Sequence, residues 1–280
     1  MALISTAEHP TGPQSGREAG VLRMAEPRDV VAELEARATL ADVPDSEQFH
    51  GYAVVGVPFR SGHTLAMRRF PVSSVGPSYT SVWHRDPAGR WVIYQDQGPR
   101  YSCPRAFGPG IDDAPTVPIA VEWMDSHRFA IDIETEGMRL HWEIRLSENA
   151  VTRALNAAAS ILPRFVRHHP AALAVIGRAA GLLLRAGRVR LIGTVPSRQD
   201  FFADLRRIWL IEESTAVIDD VDLGESGPLH EQAHLADFWL PQRGLFAIGG
   251  SFFELYDPAR HLQVASRNEV RGAATPGDAP

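Results

Sequence analysis

One feature constrains this chain more than any other: apolar and polar residues alternate through three consecutive segments, IAVEWM (119–124), RFAIDIE (128–134) and MRLHWEIRL (138–146). Ile119, Val121 and Trp123 share one face of the first. Phe129, Ile131 and Ile133 do so on the second, and Met138, Leu140, Trp142, Ile144 and Leu146 on the third. Successive side chains of a strand point to opposite faces, so a period of two predicts strands with one buried face. Only Asp125-Ser126-His127 and Thr135-Glu136-Gly137 separate the segments. Connections that short join antiparallel neighbours, and the three segments are predicted to form a meander.

The same texture recurs elsewhere. GYAVVGVPF (51–59) and HTLAMRRF (63–70) are strand-like, while YTSVWHR (79–85) and RWVIYQD (90–96) flank Asp86-Pro87-Ala88-Gly89, a turn signal that predicts a hairpin. Further strands are expected over 188–195, 206–213, 215–219, 244–250 and 251–256, with a loose, proline-rich stretch at 97–118. Residues 148–187 break the rhythm. They are rich in Ala and Leu, lack alternation and are divided by Pro163 and Pro170, which predicts two helices. Short helices are also expected after Pro27, where Val30, Leu34 and Leu40 have near-helical spacing, and over 228–240.

The expected fold class is therefore mainly β with a helical insertion at about 148–187. A single β-rich domain is expected over 21–265, with disordered ends at 1–20 and 266–280, where Gly, Pro, Ser and Ala dominate.

Composition removes several functions. All 28 basic residues are arginine, so a phosphate-loop nucleotidase, a Schiff-base aldolase and a pyridoxal enzyme are excluded, each needing a lysine amine. The net charge of −6 argues against nucleic acid as a partner. Cys103 is the only cysteine, which excludes a disulfide framework and suits a cytoplasmic location. Residues 1–20 contain no apolar run of the signal-peptide kind. The most apolar stretches, 171–177 and 179–184, are divided by Arg178 and fall short of the roughly 18 residues needed to span a bilayer. No GxSxG or GxGxxG occurs.

The hairpin VWHRDPAGRWVIYQD and the meander together resemble the lipocalin-like (calycin) β-barrel proteins of the carotenoid 1,2-hydratase and AttH type. The resemblance covers roughly 50–146 and 188–256 and is one of strand rhythm. It implies a barrel or paired-sheet body holding a hydrophobic small molecule, such as a terpenoid, polyketide or lipid.

If the protein is an enzyme, cofactor-free acid–base chemistry is expected: hydration, isomerisation or cyclisation by a lyase or isomerase. The candidate acid–base residues are His84, Glu122 and His141, with Trp83, Trp123 and Trp142 as wall residues. A carboxylate or imidazole facing a dry cavity has its pKa shifted towards proton transfer. The alternative is a solvated face: Arg139, His141, Glu143 and Arg145 would then form cross-strand ion pairs, and His84 would be a turn-flanking histidine bonding Asp86.

Two further readings remain open. His230-Glu231-Gln232-Ala233-His234 is an HExxH, which on a helix puts two imidazoles on one face for zinc, with Glu231 as base and Glu254 as third ligand. The third is a non-catalytic lipid carrier. Residues 149–199 carry eight arginines and no acid, suited to an anionic membrane or an acidic substrate, or to packing on an acidic β-body. The acidic run Asp219–Glu225 reads as a solvated turn rather than a calcium loop.

Overall fold

The computed structural model describes residues 25–262. In chain order the elements are α1 (Pro27–Arg37), β1 (Ser46–Pro58), β2 (Thr64–Ser73), β3 (Tyr79–Arg85), β4 (Trp91–Gln95), the one-turn α2 (Pro104–Phe107), β5 (Ala120–Trp123), β6 (Arg128–Thr135) and β7 (Met138–Leu146). There follow α3 (Ala150–Ile161), α4 (Arg164–Arg167), α5 (Pro170–Leu183), β8 (Ile192–Thr194), β9 (Asp200–Ile218), β10 (Val221–Asp222), β11 (His234–Leu235), β12 (Phe238–Trp239) and β13 (Leu245–Glu254). The architecture is mainly β with a helical insertion.

The long sheet runs in the order β4-β3-β2-β1-β13-β9-β7-β6-β5, with β8 and β10 also paired to β9 and β11–β12 forming a separate hairpin. Every pairing between these strands is antiparallel. The predicted meander is β5–β6–β7, and the predicted hairpin is β3–β4, turned by Gly89 at φ 87°. Four strand spacings separate β5 from β13, about 19 Å in a flat sheet. Yet the ring of Trp123 on β5 lies 6.3 Å from that of Phe246 on β13. The sheet therefore curls over itself, and Phe129, Trp142, Trp209 and Phe246 fill its interior. A strap, 113–117, hydrogen-bonds along β4 and leads into β5, linking the sheet's two edges.

Several boundaries differ from expectation. The strands expected over 206–213 and 215–219 are one strand, β9, because Glu212-Glu213-Ser214 contains no Gly, Pro, Asn or Asp and β9 simply changes partner, from β13 to β7, near Ile211. Likewise 244–250 and 251–256 merge into β13. The expected strand over 188–195 shrinks to β8, and 148–187 holds three helices rather than two. The helix expected over 228–240 does not form. Ala233 and Leu235 are buried while His234 and Ala236 are exposed, a period of two, and the chain turns back at Ala236 with φ 52°. Side-chain amides hold this segment in place: Gln232 bonds the backbone of Arg188 and Leu240, and Gln242 brackets Leu229. The ends 1–20 and 266–280 lie outside the described residues.

The helical insertion is tied to the sheet at a definite place. Along one edge of β9, β8 stops opposite Phe202 and β7 begins opposite Ile211, leaving Ile208 between them. The Asn156 amide of α3 fills this gap, donating to Ile208 O at 2.7 Å and accepting from Ile208 N at 2.9 Å. Asn149 caps the same helix by accepting from Thr152 N. On α5 the buried side carries Leu173, Gly177 and Gly181. A Cβ on Gly181 would stand 2.3 Å from Gly187 O, so only glycine lets the chain after α5 return this close.

Candidate functional site

The packed interior of the curl is not where the space lies. On the opposite face, Ala53 pairs with Arg68 on one side and Ala247 on the other, and Ala247 pairs with Ile208. Gly51, Ala203 and Gly249 extend this row of small residues. With so little side chain standing up from the sheet, the helices above cannot close onto it, and a cavity of about 220 Å³ remains. Leu155 of α3 and Leu162 just after it, Ile176 and Ala180 of α5, and Phe238 and Trp239 of the β11–β12 hairpin complete its walls.

Arg68 stands in this wall, and it is buried. Its Nη1 donates to Val54 O at 2.6 Å and Met67 O at 2.8 Å, and its Nη2 to Val55 O at 3.1 Å. The β1 carbonyls are free to accept because a bulge after Val54 shifts the register against both β2 and β13. The guanidinium also lies 4.8 Å from the centre of the Trp83 ring and 5.5 Å from that of Phe238. Among the described residues no carboxylate forms an ion pair with it. Burial pushes its pKa down to about 10, against smaller opposing contributions from Cys103 and Tyr79, so it remains a cation at neutral pH. Beyond it lies a smaller hollow of about 30 Å³, bordered by Tyr79, Trp83, Cys103 and Phe107.

The other buried charge of the wall contrasts with it. Asp204 accepts from Arg167 Nη1 at 2.6 Å, Arg206 Nε at 3.1 Å and His168 Nε2 at 3.3 Å. Trp239, stacked with His234 and overlaid by the Arg188 guanidinium, has a buried indole N–H with no partner among the described residues.

The residues singled out from the sequence are scattered relative to this cavity. Trp83 reaches it indirectly, as the platform under Arg68. Trp142 and Trp123 belong to the packed interior: Trp142 Nε1 donates to Ser214 Oγ at 2.8 Å, and Trp123 packs 4.8 Å from Phe129. His84 pairs with His63, Nε2 to Nδ1 at 2.8 Å, and burial with the neighbouring imidazole lowers its pKa to about 4. His141 takes the solvated reading. It sits between Asp132 at 2.6 Å and Glu143 at 3.2 Å on the exposed face, and its hydrogen bond to Asp132 raises its pKa. Glu122 is exposed on β5. The three candidate acid–base residues are thus not brought together, and none lines the cavity.

The HExxH loses its helical geometry with the helix. His230 and Glu231 lie in a bend, His234 is on β11 with Nδ1 against Ala236 O, and Glu254 is bonded to Arg260 and His261. Among the described residues no three His, Cys, Asp or Glu side chains converge in a metal-holding arrangement. In the acidic run, Asp222 accepts from Gly224 N as in an ordinary turn, while Asp219 accepts from Arg139 N on β7 and Asp220 pairs with the Arg139 guanidinium.

Sequence reasoning passed over Arg68. Its signal was present: in HTLAMRRF, Arg68 falls on the same face as Ala66 and Phe70, a charge at an inward position of a strand buried on both faces.

No family model matches the chain, and no curated protein matches it. Among solved structures it is similar to acetoacetate decarboxylase from Legionella pneumophila subsp. pneumophila str. Philadelphia 1. The identity is 7% and the TM-score 0.36, over 83% of this chain and 94% of that one. A likeness this distant says nothing about ligand or reaction.

Proposed function

We propose that the protein binds a small apolar molecule carrying an acid group, with the body in the cavity and the acid against Arg68. One observation carries this reading: a buried guanidinium with no carboxylate partner among the described residues stands in the wall of a largely apolar cavity. A buried cation left unpaired is costly, and a bound anion offsets that cost. A 150 Å³ apolar cavity takes up benzene, so 220 Å³ suits a ligand of about nine or ten heavy atoms, the size of a medium-chain fatty acid. The charged side chains on the wall are Arg68, Arg167, Arg190 and Asp204, and Asp204 already faces three basic side chains. That composition favours a binding site over proton-transfer chemistry.

The test is calorimetry with octanoate and octan-1-ol, which share a chain and differ in the head group. Octanoate binding at least tenfold tighter supports the reading. Equal affinities, or tighter binding of the alcohol, would overturn it.

A further inference from the structure

The outer surface of the helical insertion is unlike the rest of the protein. Among the described residues the four most exposed large apolar side chains all lie on it: Ile161 at 79%, Phe165 at 77%, Leu182 at 82% and Leu183 at 80%. Val151 and Val175 join them on the same helices. On α5 the division is sharp. Leu173, Gly177 and Gly181 are buried at i, i+4 and i+8, while Val175, Arg178, Leu182 and Leu183 face outward. Such side chains standing in water on one layer mark a contact surface.

The charge on this layer says what kind of contact it is. Eight arginines and no acid occupy 149–199. The sequence left open whether they pack on the acidic β-body, and the structure divides them. Arg167 pairs with Asp204 and Arg190 with Asp237. Arg178 and Arg185, both exposed, have no ion pair among the described residues, and Arg153 bonds only the carbonyl of Glu148. Exposed Phe, Ile and Leu interleaved with unpaired arginines is the pattern of helices that lie in the headgroup region of an anionic bilayer, their apolar side chains reaching the acyl boundary. No helix among the described residues is long and apolar enough to cross a membrane, which fits a face that lies on the surface.

We infer that α3, α4 and α5 dock on the surface of an anionic phospholipid bilayer through Ile161, Phe165, Leu182 and Leu183, with Arg178 and Arg185 contacting the headgroups. The inference stands independently of the ligand reading. It also gives the cavity a setting, because α3 and α5 supply both the docking face and the cavity roof.

The test is flotation of the full chain with vesicles of phosphatidylcholine alone or with phosphatidylglycerol added. Binding is expected to the anionic vesicles, to weaken in high salt and to be much weaker on phosphatidylcholine alone. Each headgroup-contacting arginine contributes about a fivefold factor, so Arg178→Gln with Arg185→Gln should reduce partitioning about 25-fold. Leu182→Ser with Leu183→Ser should release the protein at unchanged arginine content. Circular dichroism confirms that each variant remains folded. Failure to float with anionic vesicles would overturn the inference. So would a concentration-dependent dimer that Leu182→Ser with Leu183→Ser dissociates, because a second copy would then cover this face.

Discussion

Arg68→Gln is the sharpest perturbation of the proposed site. Glutamine is neutral and shorter than arginine, and it keeps an N–H donor while giving up the Nη atoms that now hold three carbonyls. It removes the charge facing a bound carboxylate. Two unit charges about 4 Å apart at an effective dielectric near 20 attract by about 4 kcal/mol, and the charge-assisted hydrogen bonds alone are worth about 2 kcal/mol. Octanoate affinity should therefore fall between about 30-fold and 1000-fold. Octan-1-ol does not use the charge, so its affinity should stay within about threefold, which also shows that the cavity is intact. Arg68→Lys should fall between parent and glutamine variant, because an ammonium keeps the charge but not the planar fork that grips both β1 carbonyls. Isothermal calorimetry measures all four pairings. If Arg68→Gln binds octanoate within fivefold of the parent while its alcohol affinity is unchanged, the carboxylate does not sit at Arg68 and the reasoning fails.

Three other outcomes follow from the structure. The fold holds His84 neutral, with its pKa near 4 against 6.5 in the unfolded chain. Stability should therefore be complete above about pH 6.5 and decline by up to about 3 kcal/mol as pH falls towards 4, a slope that His84→Gln flattens in urea denaturation. His141 has the opposite sign, its pKa being raised by Asp132. By NMR its titration midpoint should lie above 6.5 and drop in Asp132→Asn, and whatever stability the pair adds is present below pH 6.5 and lost as pH rises through that midpoint. Asn156→Ala should destabilise by about 2–5 kcal/mol, because both backbone groups of Ile208 lose their partner in a buried edge, whereas a drop below 1 kcal/mol in chemical denaturation would show that water replaces the amide.

What was legible in the sequence was whatever a local period carries. The β5–β6–β7 meander, the β3–β4 turn at Gly89 and the helical stretch after Asn149 each announce themselves within a dozen residues. The site was hidden because it is assembled across the sheet. Gly51, Ala53, Ala247 and Gly249 come from segments some two hundred residues apart, and they make a cavity only once β1 and β13 pair. Arg68 was readable only by asking which face of its strand it occupied. The HExxH misled for the converse reason. Its spacing has meaning only on a helix, and the tertiary bonds of Gln232 and Gln242 hold that segment extended instead.

The pairing of β1 with β13 sets an order of assembly on the ribosome. Ser46 lies opposite Glu254, so β1 has no permanent neighbour on one side until some two hundred further residues have been made. Until then β2, β3 and β4 can fold only as a ribbon, with Met67, Val82 and Trp83 uncovered. Such a nascent chain is a natural client for a holding chaperone, and a stop codon shortly before Leu245 would yield an aggregating fragment rather than a smaller folded protein.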